Sequence, residues 1–299
     1  GAETKRVDPP KPKPPLDLRP THFSVTEIET LRRDPYAIYA KKILGLEPLP
    51  DLIREADARE RGNLFHKILE RFVDERLEAP GAHEDLLAIG REEFAKAALP
   101  AETQALWWRR FERTATGFLE IEAKRAEFID RSFIEVTSDK LLVDGTTILL
   151  SGRADRIDIL KDGTAAIIDY KTGSSSSASQ AKILLAPQLP LEAALLLRGA
   201  FKETGTLQAS ELAYERLLPS GEVKWEAVAN DGGKLERAAG LSELAWEKLA
   251  HILRHYNDPQ STYQSQVLPA KARMGGEFDH LARVLEWSSG SDDEEADGS

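Results

Sequence analysis

Along the first 130 or so positions, apolar residues recur every three to four residues. Beyond them the spacing shortens to alternation. Ser24-Val25-Thr26-Glu27 has the form of a capping box, in which a serine hydroxyl and a glutamate three residues on satisfy orphan amides at a helix start. The helix it opens breaks at Asp34-Pro35 and resumes over Tyr36 to Leu44. A second helix is predicted over Asp57 to Leu77, with Leu64, Phe65, Ile68, Leu69, Phe72 and Val73 as its apolar stripe. Two more are predicted over Glu84 to Ala98 and Glu102 to Phe128.

Strands are predicted over Phe133 to Thr137, Lys140 to Val143, Thr147 to Leu160 and Thr164 to Tyr170. Asp144-Gly145 and Asp162-Gly163 supply tight turns between them. Ser174 to Ser179 is a polar loop, Pro187 to Phe201 a helix, Leu207 to Leu217 and Val223 to Val228 strands, and Leu241 to Tyr256 a last helix. No internal repeat is visible. Helices followed by a hairpin-rich sheet, then helix and sheet again, describe an α/β domain with a mixed central sheet flanked by helices.

Composition narrows the classes. With 299 residues and 41% hydrophobic content the chain can bury a sizeable core. No run approaches the roughly 18 apolar residues of a membrane span, which argues against a membrane partner. Cys is absent, which excludes disulfides, thiolate-held zinc and iron–sulfur clusters and fits a reducing cytoplasm. The one Met is Met274, and Pro9, Pro10, Pro12, Pro14 and Pro15 follow soon after the first residue. That opening reads as a Pro-rich interdomain linker (1–20) leading into a piece of a longer protein, the alternative being a complete chain with a processed N-terminus. The domain then covers 21–287, and Asp292, Asp293, Glu294, Glu295 and Asp297 lie in an acidic tail, 288–299. A net charge of −11 excludes a protein that coats nucleic acid through general basicity; any binding to it needs local basic patches, metal ions or a partner.

The chemistry is concentrated where strands should be apolar. Between Ile148-Leu149-Leu150 and Ile159 lie Arg153, Asp155, Arg156 and Asp158, and Ala165-Ala166-Ile167-Ile168 runs directly into Asp169-Tyr170-Lys171-Thr172-Gly173. Alternation points Asp169 and Lys171 one way and Tyr170 the other. Asp155 and Asp169 lie seven residues either side of Asp162, compatible with cross-strand neighbours. Two close carboxylates repel one another, and a divalent cation such as Mg²⁺ relieves the conflict; Lys171 beside it could orient or deprotonate a water or stabilise developing charge. The competing reading is a salt-bridge ladder on a solvated strand. His66 shares a helix face with Gly62 and Glu70, where it is either a metal ligand or a structural imidazole beside an apolar stripe.

Taken together, Gly62 to His66, Gly152 to Asp158, Asp169 to Gly173 and the helix beginning Gln188-Leu189-Pro190-Leu191-Glu192 resemble, in order, the motifs of the PD-(D/E)XK nuclease superfamily, RecB-type branch. The flanks, Ser24 to Glu29 and His280 to Val284, are similar to the C-terminal nuclease domains of AddB-type components of helicase–nucleases. The resemblance implies a restriction-endonuclease-like core with helical insertions and a Mg²⁺-dependent DNA nuclease, an exonuclease module in which Mn²⁺ can substitute. It implies DNA as substrate, an AddA-like partner subunit and a role in double-strand break repair. By position it makes Asp155, Asp169, His66 and the Tyr170 carbonyl metal ligands, Lys171 the catalytic lysine, and Gln188 a residue of the active site. A catalytically silent nuclease-fold scaffold for DNA or partner binding is the alternative function. Two departures stand out: Glu192 occupies the place of a usual Tyr, and Asp34 that of a cluster-binding Cys, so the terminal segments are expected to be held by packing.

Overall fold

The computed structural model describes residues 8–48, 58–75, 82–172, 177–230, 237–266, 276–284 and 287. The strands are β1 (His22–Ser24), β2 (Ile129–Thr137), β3 (Leu141–Leu142), β4 (Leu149–Ser151), β5 (Arg153–Leu160), β6 (Ala165–Thr172), β7 (Ala209–Leu217) and β8 (Val223–Asn230). The helices are α1 (Val25–Arg33), α2 (Pro35–Ile38), α3 (Ala58–Asp74), α4 (Ala82–Lys96), α5 (Ala101–Arg125), α6 (Ala178–Lys182), α7 (Gln188–Leu197) and α8 (Ala238–Tyr256). The chain divides into two compact units, one of residues 1–51, 142–150 and 248–299, the other of 52–141 and 151–247.

In the first unit the capping box forms as read: Ser24 Oγ accepts from Glu27 N at 3.3 Å and Glu27 Oε2 accepts from Ser24 N at 2.8 Å. Pro35 ends the α1 ladder because it has no N–H to give, and it restarts the chain as the first residue of α2. Tyr36 and Ala40 pack against Phe278, Ala282 and Val284, and the Asp34 carboxylate accepts from Gln266 N at 3.1 Å. The terminal segments are thus joined by apolar packing and by a hydrogen bond at the position where a thiolate was missing. Arg19 lies at the end of the Pro-rich opening. Its guanidinium donates to the carbonyls of Tyr256, Asp258 and Ser261, three acceptors at the exit of α8.

In the second unit the sheet order is β2-β5-β6-β7-β8, with β6 and β7 parallel and the other neighbours antiparallel. This is the mixed, restriction-endonuclease-like sheet. The strand expected from Thr147 to Leu160 is divided at Gly152, and β4 belongs to a separate small sheet, β1-β4-β3. Gly152 N donates to Ser138 Oγ and Gly152 O accepts from Ser138 N, both at 2.8 Å, which holds the turn between the two pieces. The predicted helix at Pro187 to Phe201 stops at Leu197, since Gly199 at φ +71° closes it with a left-handed cap. Gly173 to Ser176, the acidic tail and the ends proposed for the second helix at Asp57 and Leu77 lie outside the described residues.

Helices α3, α4 and α5 bury Phe65, Phe94, Phe111 and Phe118 with Tyr170 and Leu217 on one face of the sheet. Helix α7 packs on β6 and β7 and is buried from Leu189 to Leu196, as expected for a helix that is apolar on nearly every side.

Candidate active site

The β5–β6 ladder runs from Ile159 opposite Ala165 to Arg156 opposite Ile168; one step further, the same register sets Asp155 across from Asp169. Here a side chain takes over from the main chain. Asp155 Oδ2 accepts from Tyr170 N at 3.0 Å. The same oxygen lies 3.1 Å from His66 Nε2 on α3. Helix α3 comes this close because position 62 is glycine: a Cβ there would stand 2.3 Å from Thr172 Oγ1. The other imidazole nitrogen of His66, Nδ1, lies 3.3 Å from Glu70 Oε1.

Around Asp169 the partners come from β6 and α7. Its Oδ2 is 2.7 Å from Lys171 Nζ, and its Oδ1 accepts from Gln188 Nε2 at 2.6 Å. Gln188 Oε1 accepts from Lys171 Nζ at 3.1 Å, while its Nε2 also donates to Glu192 Oε1 at 3.1 Å. The amide has one workable orientation, oxygen toward the ammonium and nitrogen toward the two acids. Asp155 thus contacts His66 and the Tyr170 amide, while Asp169, Lys171 and Gln188 contact one another, and the adjacency of residues 169–171 along β6 joins the two groups.

Alternation sends Arg156 and Asp158 of the Gly152 to Asp158 motif to the opposite face. Arg156 is fully buried there. Its Nε donates to Asp158 Oδ1 at 2.7 Å, its terminal nitrogens pair with the Glu122 carboxylate at 2.8 and 3.0 Å, and Tyr170 Oη lies 3.3 Å away. Arg156 and Asp158 are a structural pair beneath α5.

Burial, and then the Asp155 charge, push the Asp169 carboxyl up to about 7 despite the opposing pull of Lys171 and His66. Burial lowers the Lys171 ammonium, but Asp169 and Asp155 outweigh it and the net shift is upward. His66 behaves alike: burial opposes its charge, Asp155 and Glu70 favour it, and its pKa rises. Burial pushes Glu192 well above the ordinary carboxylate range, with Asp169 and Asp155 adding to it.

Glu192 Oε2 accepts no hydrogen bond among the described residues, and Asp169 Oδ2 has only the ammonium beside it. The under-satisfied oxygens of Asp169 and Glu192 are hard donors of the kind Mg²⁺ or Mn²⁺ takes, with Asp155 and the His66 nitrogen next to them along the site. The ligand atoms that already lie within 4.8 Å of one another are those of His66, Glu70 and Glu135. Glu135, on β2, was not foreseen. It sits at φ +56°, pairs with Arg153, and offers an oxygen within 4.8 Å of ligand atoms of both His66 and Glu70. An acid in an ordinary strand pattern carries no sequence signal of that backbone turn. A cavity of about 630 Å³ opens at the Asp162 end of the same strands, bordered by Lys124, Phe128 and Lys161, away from all of these groups.

Residues 22–267 match the family model of the PD-(D/E)XK nuclease superfamily. The chain belongs to the PD-(D/E)XK nuclease superfamily. An uncharacterized protein of Rickettsia conorii is 33% identical over 195 residues, which are 63% of this chain and 23% of that protein. One from Rickettsia felis is 31% identical over 225 residues, 72% of this chain and 26% of that protein. An ATP-dependent helicase/deoxyribonuclease component from Streptococcus uberis is 24% identical over 170 residues, 53% of this chain and 14% of that one. The chain thus spans about a quarter or less of the length of these relatives. A solved structure from Eubacterium rectale, provisionally described as an exonuclease, covers 89% of this chain and 95% of its own at a TM-score of 0.45 and 11% identity. Among the described residues of this member of the superfamily, no helix is long and apolar enough to cross a membrane.

Proposed function

We propose that this nuclease is a Mg²⁺-dependent deoxyribonuclease, the exonuclease module of a helicase–nuclease that processes double-strand breaks beside an AddA-like partner subunit. The observation that carries the reading is the meeting of Asp155 and Asp169 with Lys171 and Gln188 where the β5–β6 ladder ends. Asp155, Asp169, His66 through Nε2 and the Tyr170 carbonyl are the groups that would hold the ion. When bound, the cation supplies Lewis-acid activation of water and neutralises phosphate charge. Lys171, whose pKa is raised by its acidic neighbours, stays an ammonium. That favours a part in orienting the nucleophile and stabilising negative charge over a part as proton acceptor. Gln188 keeps the ammonium and the Asp169 carboxylate in fixed relation. The helicase context and the DNA substrate draw support from the name of the Streptococcus uberis relative. The nuclease domain is taken as 21–287, between a linker at 1–20 and an acidic tail at 288–299.

The test is direct. The 299-residue chain incubated with linear DNA is expected to cleave it with Mg²⁺ or Mn²⁺ and to stop in EDTA. Lys171→Ala is expected to abolish cleavage while Mn²⁺ binding persists. Cleavage that continues in EDTA would eliminate the metal mechanism, and an intact Lys171→Ala enzyme would eliminate the assigned lysine.

A further inference from the structure

We infer that Glu192 belongs with Asp155 and Asp169 to the set of carboxylates that holds the divalent cation, an inference that rests on the metal-dependent reading above. Glu192 is the only charged residue of α7, in the segment QLPLEAALLL, and its side chain is completely buried. A buried carboxylate in an otherwise apolar helix is costly unless something offsets its charge. One oxygen, Oε1, takes the second N–H of Gln188 at 3.1 Å. The other, Oε2, accepts no hydrogen bond among the described residues, and no Lys or Arg there forms an ion pair with Glu192.

The setting distinguishes this acid from Glu215, which is also completely buried and lacks donors on both oxygens. Among the charges acting on Glu215 the acid Glu122 leads, followed by two cations, Arg156 and Arg125. Among those acting on Glu192 two acids lead, Asp169 and Asp155, and Lys171 alone pulls the other way. Gln188 Nε2 binds Asp169 Oδ1 and Glu192 Oε1 together, so the two carboxyl groups stand side by side around a single nitrogen. Three acids set against Lys171 and the His66 imidazole beside Asp155 leave an excess of negative charge that a divalent cation offsets. Mere orientation of Gln188 would require an acceptor at position 192 but no charge, which is what the experiment separates.

The metal-free 299-residue chain is titrated with Mn²⁺ by calorimetry and by electron paramagnetic resonance of the free ion. Glu192→Gln retains the volume and an oxygen acceptor for Gln188, and Glu192→Met removes the polar group as well; Asp169→Asn is the reference for a lost ligand. The expected result is Mn²⁺ binding weakened about tenfold or more in both Glu192 variants, with melting in EDTA no lower than the parent's. Parental Mn²⁺ affinity in Glu192→Gln or in Glu192→Met, alongside lost affinity in Asp169→Asn, would overturn the inference and leave the metal site standing. Should the parent itself take up no Mn²⁺, the metal-dependent reading and the inference fail together.

Discussion

Replacing Asp169 by Asn separates a metal ligand from a strand-surface salt bridge, because the two predict opposite signs for stability. Asp169 is completely buried in practice, and its carboxyl rises from an ordinary 3.8 to about 7. A folded-state pKa raised above the unfolded one means that the folded protein holds its proton longer. The carboxylate therefore costs stability as pH rises from about 4 to about 7, and the cost persists above that. At 1.36 kcal/mol per unit, that cost is about 2 kcal/mol at pH 5 and about 4 kcal/mol at pH 8, an upper bound for a site with several interacting charges. Asn is free of it, and the attraction of Lys171 for the carboxylate is already contained in the raised pKa. The metal-free variant is therefore expected to match the parent or exceed it, by at most about 4 kcal/mol, at pH 8. Its advantage is expected to shrink by about 2 kcal/mol at pH 5. Urea unfolding in EDTA at the two pH values measures both. With Mg²⁺ at about a hundred times Kd the parent gains about 2.7 kcal/mol, and the variant is expected to lose most of that gain along with cleavage. A variant destabilised equally at both pH values, still stabilised by Mg²⁺ and still cutting DNA, would refute the argument.

Three further substitutions probe neighbouring parts. His66→Ala is expected to weaken Mn²⁺ binding less than Asp169→Asn does while the chain stays folded, since the imidazole is partly exposed; calorimetry and circular dichroism decide it. Gly62→Ala drives a methyl onto Thr172 Oγ1 and is expected to lower both stability and cleavage, with Thr172→Ala in the same chain restoring part of each; absence of any rescue in urea melts would show that the contact is not the cause. Arg156→Met takes one cation from the buried Asp158, which keeps Arg125 and Ser132, and the partner from the half-buried Glu122; it is expected to cost about 3 kcal/mol, the low end for broken buried pairs. Mn²⁺ affinity of the folded fraction should be unchanged, so a specific loss of binding would contradict its placement on the far face.

Much of the molecule follows from local rules in the sequence. Ser24 and Glu27 mark a helix start because their side chains serve amides a few bonds away, and the stripe from Leu64 to Val73 is a helix face at any position in a fold. The turn at Asp162-Gly163 makes β5 and β6 antiparallel neighbours, which places Asp155 opposite Asp169 by counting alone. Alternation also divides Asp169 and Lys171 from Tyr170. Other features depend on atoms from distant segments. Gly152 reads as one more strand residue until Ser138 ties down its backbone and splits the strand in two. Arg156 and Asp158 look like companions of Asp155, yet their side chains are satisfied by Glu122 from α5. Glu135 enters the neighbourhood of His66 only through a left-handed backbone conformation that its sequence context does not require. The amide of Gln188 finds its orientation from Lys171, Asp169 and Glu192 at once, and this joint constraint exists only after α7 has packed on β6. Short-range hydrogen bonds and periodicity are written in neighbouring residues. The burial that raises Asp169 and isolates Glu192 comes from the packed sheet and helices, because desolvation depends on everything that surrounds a charge.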